Sequence, residues 1–548
     1  MQRAFLRAGM LYSRLRHWHS LERLAHRPDE AQQSVLAKLV RANRGTRFGR
    51  EHGFDTISNH RDFQSRVPVQ EFETLRPYID EQRNTGAPAL TAEPPVFYAQ
   101  TSGTTSRPKH IPVTPSMLAM HRDEQALFSY LQYRACPAAF AGKAFGIMGA
   151  AVEGRLDSGH IVGSVSGHLY QSLPGSIRSR FVVPPAVLGI ADYELKYLTI
   201  LRLALSEPHV TYLGAPNPST FLRLLDILNV RRERLIDSLA TGQFEAIDAL
   251  DPQLRAIVGR QLTADPDRAA HLRSLPALTF ANVWPAIRLV TTWTGGSCGI
   301  ALESVRTKLP RDTAVMELGY QSSECRGTIA LEPETAGGLP TLHHHFLEFA
   351  EQDAWDSGQR NCLTLGQLAA GRRYYVLFTT AAGLYRYFMN DLVDVTGFFH
   401  QTPLLRFVQK GRGVTSLTGE KLYEAQVIEA IQDAAARCRV RSSFFVLVAD
   451  EVAFAYRLYA QLDEGFRYEA DAMSRIIDQR LGELNIEYHG KRASGRLGPL
   501  AVSWLRGGTA DAYKQAAVAA GQREGQFKLA VLQYRKAMIF PFDDYIES

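Results

Sequence analysis

A loop that reads Thr101-Ser102-Gly103-Thr104-Thr105-Ser106-Arg107-Pro108-Lys109 follows the strand-like stretch VFYAQ at 96–100. Its glycine and hydroxyls bring backbone N–H groups and Oγ atoms close to phosphate oxygens, and Lys109 adds a positive charge. It is not a Walker A loop, because GxxxxGK[ST] is absent. A second string, Tyr320-Gln321-Ser322-Ser323-Glu324, offers a ring face to a purine and a carboxylate to a Mg²⁺ that bridges phosphates. In a third, Gly383-Leu384-Tyr385-Arg386-Tyr387 runs on to Asn390-Asp391 and Val395-Thr396-Gly397-Phe398. An Asp at a strand end accepts hydrogen bonds from both ribose hydroxyls. Gly419-Glu420-Lys421 and Gly525-Gln526-Phe527-Lys528 each carry a lysine. On a mobile domain, such a lysine neutralises charge on an α-phosphate as a carboxylate oxygen attacks it. Taken singly, each string also reads as an ordinary surface turn, hairpin or solvated lysine.

These strings need elements to hold them. The first ~90 residues read mainly as helix, clearest at 31–40 (AQQSVLAKLV). Residues 115–134 read as a helix with Ser116 near its start, and 217–239 as one strong helix after Asn217-Pro218-Ser219. Between 146 and 190, short apolar runs alternate with glycines, as strands and turns do. IRLVTTW (287–293), TAVMEL (313–318) and RYYVLFT (373–379) read as strands. Strands recurring between helices indicate an α/β architecture. After Thr418 the texture changes to helix 422–436, strands 443–449 and 453–462, helix 470–483 and a final helix. That is a small α+β domain of usual size.

Composition narrows the class. The 548 residues are 45% hydrophobic and 22% charged, which suits a folded multidomain protein. A net charge of +6 on this length lacks the clustered basic excess of a nucleic-acid binder. Cys136, Cys298, Cys325, Cys362 and Cys438 are scattered without a CxxC pair, against a disulfide framework or a zinc site and in keeping with a cytoplasmic protein. The first twenty residues are basic, like a transit peptide. They read better as an amphipathic helix, with Phe5, Leu6, Met10, Leu11 and Leu15 near helical spacing. No apolar run reaches the ~20 residues that span a bilayer.

Taken in order, the strings resemble the acyl acid–amido synthetases of the auxin-responsive Gretchen Hagen family. That family is a branch of the adenylate-forming superfamily, and the resemblance runs from about Phe48 to Phe542. TSGTT…K…IP, WTGGS, YQSSE, GLYRY…D…VTGF, GEKLYE and GQFK match its motifs in sequence order. The resemblance implies an α/β fold with a large N-terminal adenylation domain, 1–418, its β-sheets flanked by helices. A smaller mobile α+β C-terminal domain, 419–548, would follow. It implies an ATP- and Mg²⁺-dependent ligase that activates a small carboxylic acid as an acyl-adenylate and conjugates it to an amino acid amine, as a monomer. Thr101, Ser102, Gly103, Thr104, Thr105 and Lys109 would lie at the phosphates, with Gly296 at the adenine pocket. Tyr320 would stack on adenine beside Ser322 and Ser323, Glu324 would coordinate Mg²⁺, and Asp391 would hold the ribose. Lys421 and Lys528 would be the charge-neutralising, catalytic lysines. The alternatives are another acceptor such as coenzyme A, or a catalytically decayed nucleotide-binding protein.

Two departures stand out. Where the family carries Tyr-Arg-x-Gly-Asp, this chain has Tyr387-Phe388-Met389-Asn390-Asp391, and Asn is expected to tolerate a left-handed backbone there. Where the family often has Phe-x-x-Arg, it has Phe407-Val408-Gln409-Lys410, with Arg412 nearby. The acyl pocket is expected between helix 115–134 and the segments near 163–167 and 295–299, with Arg122 or Arg134 as a carboxylate partner. His343-His344-His345 reads as part of a strand rather than a metal site. GSVSG at 163–167 is set aside as a nucleophile elbow for want of a strand–turn–helix context.

Overall fold

The computed structural model describes residues 2–547 apart from 102–108, 296–297, 412, 416, 418–419, 421, 451, 494–496, 523 and 525–526. The chain opens with helices. Pro28–Asn43 starts on a proline with Asp29 and Glu30 in its first turn, the charge pattern that suits a helix N-terminus. It buries Val35, Leu36, Leu39 and Val40 along one face. The first helix, Gln2–Ser13, is less regular in its burial than its pattern suggests. Leu6 and Met10 face an internal cavity, whereas Leu11 and Leu15 are 54% and 61% exposed. The backbone passes into a π-turn at Arg14–Trp18, which shifts the register of the apolar stripe.

A four-stranded parallel sheet runs in the order Lys143–Gly146, Val210–Gly214, Leu289–Thr292, Ala314–Glu317. All four residues of Leu289–Thr292 are buried, as expected of a parallel strand covered on both faces. Trp284, Phe145, Leu201, Val290 and Val315 belong to its core. The expected single helix over 217–239 is two helices, Ser219–Val230 and Arg232–Thr241. Arg231 leaves helical geometry at φ −101°, ψ 21°, so that Leu235, Ile236 and Leu239 can also face the core.

A six-stranded antiparallel sheet runs in the order Phe346–Glu351, Arg373–Thr379, Tyr387–Phe399, Thr402–Lys410, Gly338–Pro340, Thr328–Ala330. Asp391 is not at a strand end but within Tyr387–Phe399, at a break in register where residues 389–391 face Val376 alone. The extra residues need a reversed backbone turn, and Asn390 supplies it with φ +54°. His343 and His344 lie in a turn rather than on a strand, and the strand begins at Phe346. Gly383 takes φ +80° in the turn before Tyr385, where a Cβ would sit 2.6 Å from Leu90. Arg386, which leads into the Asp391 strand, is buried against Glu348 with Nε 3.0 and 3.1 Å from the two carboxylate oxygens. Its remaining N–H groups reach the Val67 and Gln64 carbonyls.

A smaller sheet orders Lys109–Val113, Phe97–Thr101, Ile161–Gly163, Gly154–Arg155. GSVSG does sit in a strand–turn–helix context: Ile161–Gly163, then Ser164, then helix Val165–Gln171. Ser164 is spent as the helix cap, accepting from Gly167 N at 3.0 Å, and the elbow's central position is Val165. Past residue 422, four strands order as Ala501–Trp504, Ala455–Leu462, Ser442–Asp450, Leu532–Tyr534, packed by Glu424–Cys438, Ala470–Leu484 and Thr509–Ala519. Helix Glu424–Cys438 starts two residues later than expected because Leu422–Tyr423 pairs with Val414–Thr415. Among the described residues no helix is long and apolar enough to cross a membrane.

The Arg386–Glu348 pair is fully desolvated, so removing one partner strands a buried charge. Glu348→Ala is expected to lower stability by about 3–5 kcal/mol in urea denaturation. A loss below about 1 kcal/mol would show that the pair is not needed to hold this strand.

Candidate active site

A cavity of about 2250 Å³ opens where the carboxyl ends of the parallel strands meet the antiparallel sheet, the place where open α/β sheets bind ligands. Gly146, Gly214 and Thr291 line it from the parallel sheet, Asp391 from the antiparallel sheet, and Lys528 from the C-terminal part. Lys109, Tyr320, Ser322, Ser323 and Glu324 line the same cavity. Three strings far apart in the chain thus converge on one space.

Local hydrogen bonds shape the YQSSE string. Tyr320 O accepts from Gly327 N at 2.7 Å, and Cys325 O from Ser322 N at 2.8 Å. Ser322 Oγ accepts from Glu324 N at 3.2 Å. This tight reversal follows strand Ala314–Glu317 and puts the Glu324 carboxylate, 6% exposed, at the cavity. The Tyr320 hydroxyl donates to Asp391 Oδ2 at 2.6 Å. Its ring lies parallel to that of Phe407, 9° between planes and 5.9 Å between centroids. Burial, and then the Asp391 charge, push the Tyr320 phenol well above its ordinary pKa, so it stays a donor.

The Lys528 ammonium sits 5.3 Å from the Trp293 ring centroid and 5.4 Å from that of Phe407, within cation–π range. Phe407 therefore meets the site through Tyr320 and Lys528 and does not itself line the cavity. Asn217 Nδ2 donates to the Phe527 carbonyl at 2.5 Å. Glu524 accepts from the Tyr197 hydroxyl at 2.7 Å and pairs with Lys514 at 3.1 Å. Glu420 is buried, accepting from Leu417 N at 2.7 Å and the Tyr456 hydroxyl at 2.9 Å. Glu317 accepts from Thr294 N at 2.6 Å, which holds the TGG segment; burial pushes its carboxyl up.

Ser102, Gly103, Thr104, Thr105, Gly296 and Lys421 lie outside the described residues, as do the side chains of Thr101 and Lys410. The Thr101 backbone pairs with Lys109, and Lys410 with Asp391. Arg122 lines the cavity. Arg134 does not: it binds Glu332 at 2.7 Å and lies over the Trp18 ring. Cys298 and Cys325 are buried thiols, with burial pushing Cys298 up to about 12 and Cys325 well above its usual value.

The sequence reading missed a polar cluster beneath the cavity. Glu124 is 1% exposed and accepts from His121 Nδ1 and His344 Nδ1, each at 2.9 Å, with His345 Nε2 at 3.5 Å. Burial alone would raise the Glu124 carboxyl, yet the histidine hydrogen bonds hold it well below its usual range. The available signals were His121 and Glu124 one helical turn apart and the His343–345 tract. Arg326, also missed, is buried and lines the cavity, and burial pushes it down to about 10. Among the described residues no group of three His, Cys, Asp or Glu side chains is placed to hold a metal ion.

Solved structures define the class. A 2-hydroxyisobutyryl-CoA ligase in the postadenylation state shares the fold with a TM-score of 0.56 at 13% identity, over 93% of this chain and 90% of that one. AtGH3.15 acyl acid amido synthetase in complex with 2,4-DB superposes with a TM-score of 0.85 at 22% identity, over 97% and 96%. The fold is thus that of the α/β adenylating enzymes, with a large N-terminal and a smaller C-terminal domain. The GH3 family N-terminal domain matches residues 17–313, the central domain 338–410 and the C-terminal domain 425–536. The chain belongs to the GH3 family, the acyl acid amido synthetases among the adenylate-forming ligases. Indole-3-acetic acid-amido synthetase GH3.8 of Oryza sativa subsp. indica is 26% identical over 536 residues, covering 91% of this chain and 87% of the relative. Indole-3-acetic acid-amido synthetase GH3.15 of Arabidopsis thaliana is 25% identical, over 93% and 91%.

Glu424, at the start of its helix and within reach of the Lys528 charge, has its carboxyl raised by burial from 4.5 to about 7. A carboxyl raised in the folded state contributes stability below its unfolded pKa and loses it as pH climbs through the folded one. Wild type is therefore expected to lose stability relative to Glu424→Gln between about pH 4.5 and 7, and no further above that window. Parallel pH–stability curves for the two would contradict this.

Proposed function

We propose that this protein uses ATP to activate a small carboxylic acid as an acyl-adenylate and conjugates it to the amine of an amino acid, releasing pyrophosphate and AMP. The observation that carries the reading is the convergence of Tyr320, Glu324, Asp391 and Lys528 on one cavity. Adenine and ribose lie along Tyr320 and Asp391, whose mutual hydrogen bond fixes the carboxylate's orientation. The phosphates run toward Lys109 and the hydroxyls of Ser102, Thr104 and Thr105. Glu324 is a single buried carboxylate, the donor set of a Mg²⁺ that takes its other ligands from phosphates and water. When bound, that ion screens phosphate charge.

The acid's carboxylate oxygen attacks the α-phosphorus and pyrophosphate leaves. Lys528, held at the cavity by aromatic rings and the Asn217 contact, faces the charge that builds on the α-phosphate. The boundary between the adenylation domain and the mobile domain falls at 418/419. Rotation about it exchanges Lys528 for Lys421 and admits the amine, which attacks the acyl carbon as AMP leaves. The protein works as a monomer in the cytosol, a setting that suits five unpaired cysteines.

ATP–pyrophosphate exchange with aryl, indole, jasmonate-like and short fatty acids tests this. Exchange is expected only with acid present, and Lys528→Ala is expected to lower it about 10²–10³-fold. Amino acids should raise turnover more than coenzyme A does. Measurable ATP binding with no exchange for any acid would overturn the ligase reading.

A further inference from the structure

The wall of the cavity along helix Pro115–Ala135 is more polar than an apolar acid requires. His121, Gln125, Phe128 and Gln132 follow one another at helical spacing and all line the cavity. His121 is 8% exposed, and its Nδ1 faces the Glu124 carboxylate at 2.9 Å. A carboxylate only accepts, so Nδ1 carries the proton and Nε2 of the neutral ring is a lone-pair acceptor. Among the described residues nothing hydrogen-bonds to Nε2.

Arg326 belongs to the same wall. It is 5% exposed, its guanidinium lies 4.4 Å from the Phe128 ring centroid, and one N–H reaches the Leu318 carbonyl at 2.9 Å. Its Nε–H has no partner among the described residues, and it forms no ion pair with any of them. Gln132 makes the contrast: it is satisfied by the Tyr212 hydroxyl at 3.1 Å and Thr291 Oγ1 at 2.9 Å. The wall thus presents one buried donor and one buried acceptor to the ligand. Both are backed by groups that hold them in place, Phe128 under the guanidinium and Glu124 behind the imidazole.

We propose that Arg326 and His121 form a specificity subsite for a hydroxyl group on the body of the acyl acid, separate from the carboxyl that is adenylated. A hydroxyl is the oxygen function that serves both groups, accepting from Arg326 Nε–H and donating to His121 Nε2. A second carboxylate would accept from Arg326 but meet the His121 lone pair and, behind it, the Glu124 charge. An unsubstituted acid would bury both groups unpaired, the situation in which enzymes reject a substrate that lacks a hydrogen-bonding group. This inference rests on the ligase reading above and names the acid class of that same site.

The test is acid-dependent ATP–pyrophosphate exchange with matched triplets: an aryl or indole acid, its ring- or chain-hydroxylated counterpart, and a dicarboxylic counterpart. Wild type is expected to favour the hydroxylated acid over its parent by about 10²-fold or more in kcat/KM. Arg326→Met and His121→Phe should each cut that ratio below about tenfold. Parents or dicarboxylic acids used as well as the hydroxylated acids overturn the subsite and leave the ligase reading standing. An equal fall for parent and hydroxylated acid in both variants also overturns it, since the residues would then be structural. If the variants fail to fold, the wild-type ratio decides alone. No exchange with any acid overturns the ligase reading itself.

Discussion

The hydroxyl of Tyr320 meets the carboxylate of Asp391 at 2.6 Å, and through this bond two sheets become one site. Tyr320 follows the last strand of the parallel sheet, and Asp391 lies within the second long strand of the antiparallel sheet. Neither sheet alone encloses a nucleotide-sized space. The bond is charge-assisted and largely withdrawn from water, which makes it both strong and directional. The Asn390 backbone reversal makes it possible, because an unbroken strand would keep strict alternation through residue 391.

The C-terminal part adds its lysine by a different kind of contact. Tyr197 to Glu524, Arg223 to Asp511, Asn217 to Phe527 and Ser304 to Asp463 are polar and individually modest. Its apolar clusters are built from its own residues, such as Leu447, Leu458 and Ile477 in one and Phe444, Tyr513 and Phe542 in another. A part with its own core, joined by polar contacts, can move without exposing apolar surface. Lys528 adds an ammonium between two aromatic rings, a contact that positions charge and lets it go at small cost.

Two buried carboxylates stabilise the scaffold near this site by the same rule. Glu348 is matched by a guanidinium whose other N–H groups are all engaged, and it holds the entry to the Asp391 strand. Glu124 is matched by histidines from its own helix and from the turn at 342–344, which pins the cavity helix to the antiparallel sheet. Each charge is affordable in the interior only because donors surround it.

By itself the sequence determined the order of motifs, the α/β class and most elements, because these depend on local chemistry. The strand 373–379 was legible to the residue, since a run of seven residues buried beyond its first position leaves little latitude. So was the strand–turn character around YQSSE and GLYRY, where glycine and hydroxyl residues dictate the backbone. The tolerance of Asn390 for a left-handed turn was also legible, being a property of one side chain. What only the tertiary structure decided is where long-range partners meet. The break at Arg231, the use of Ser164 as a cap, the exposure of Leu11 and Leu15, and the diversion of Arg134 to Glu332 depend on neighbours distant in the chain. The same holds for the Glu124 cluster, whose members are 220 residues apart in sequence and 2.9 Å apart in space. Helical and strand periodicity records which face a residue takes, but carries no information about which distant face will cover it.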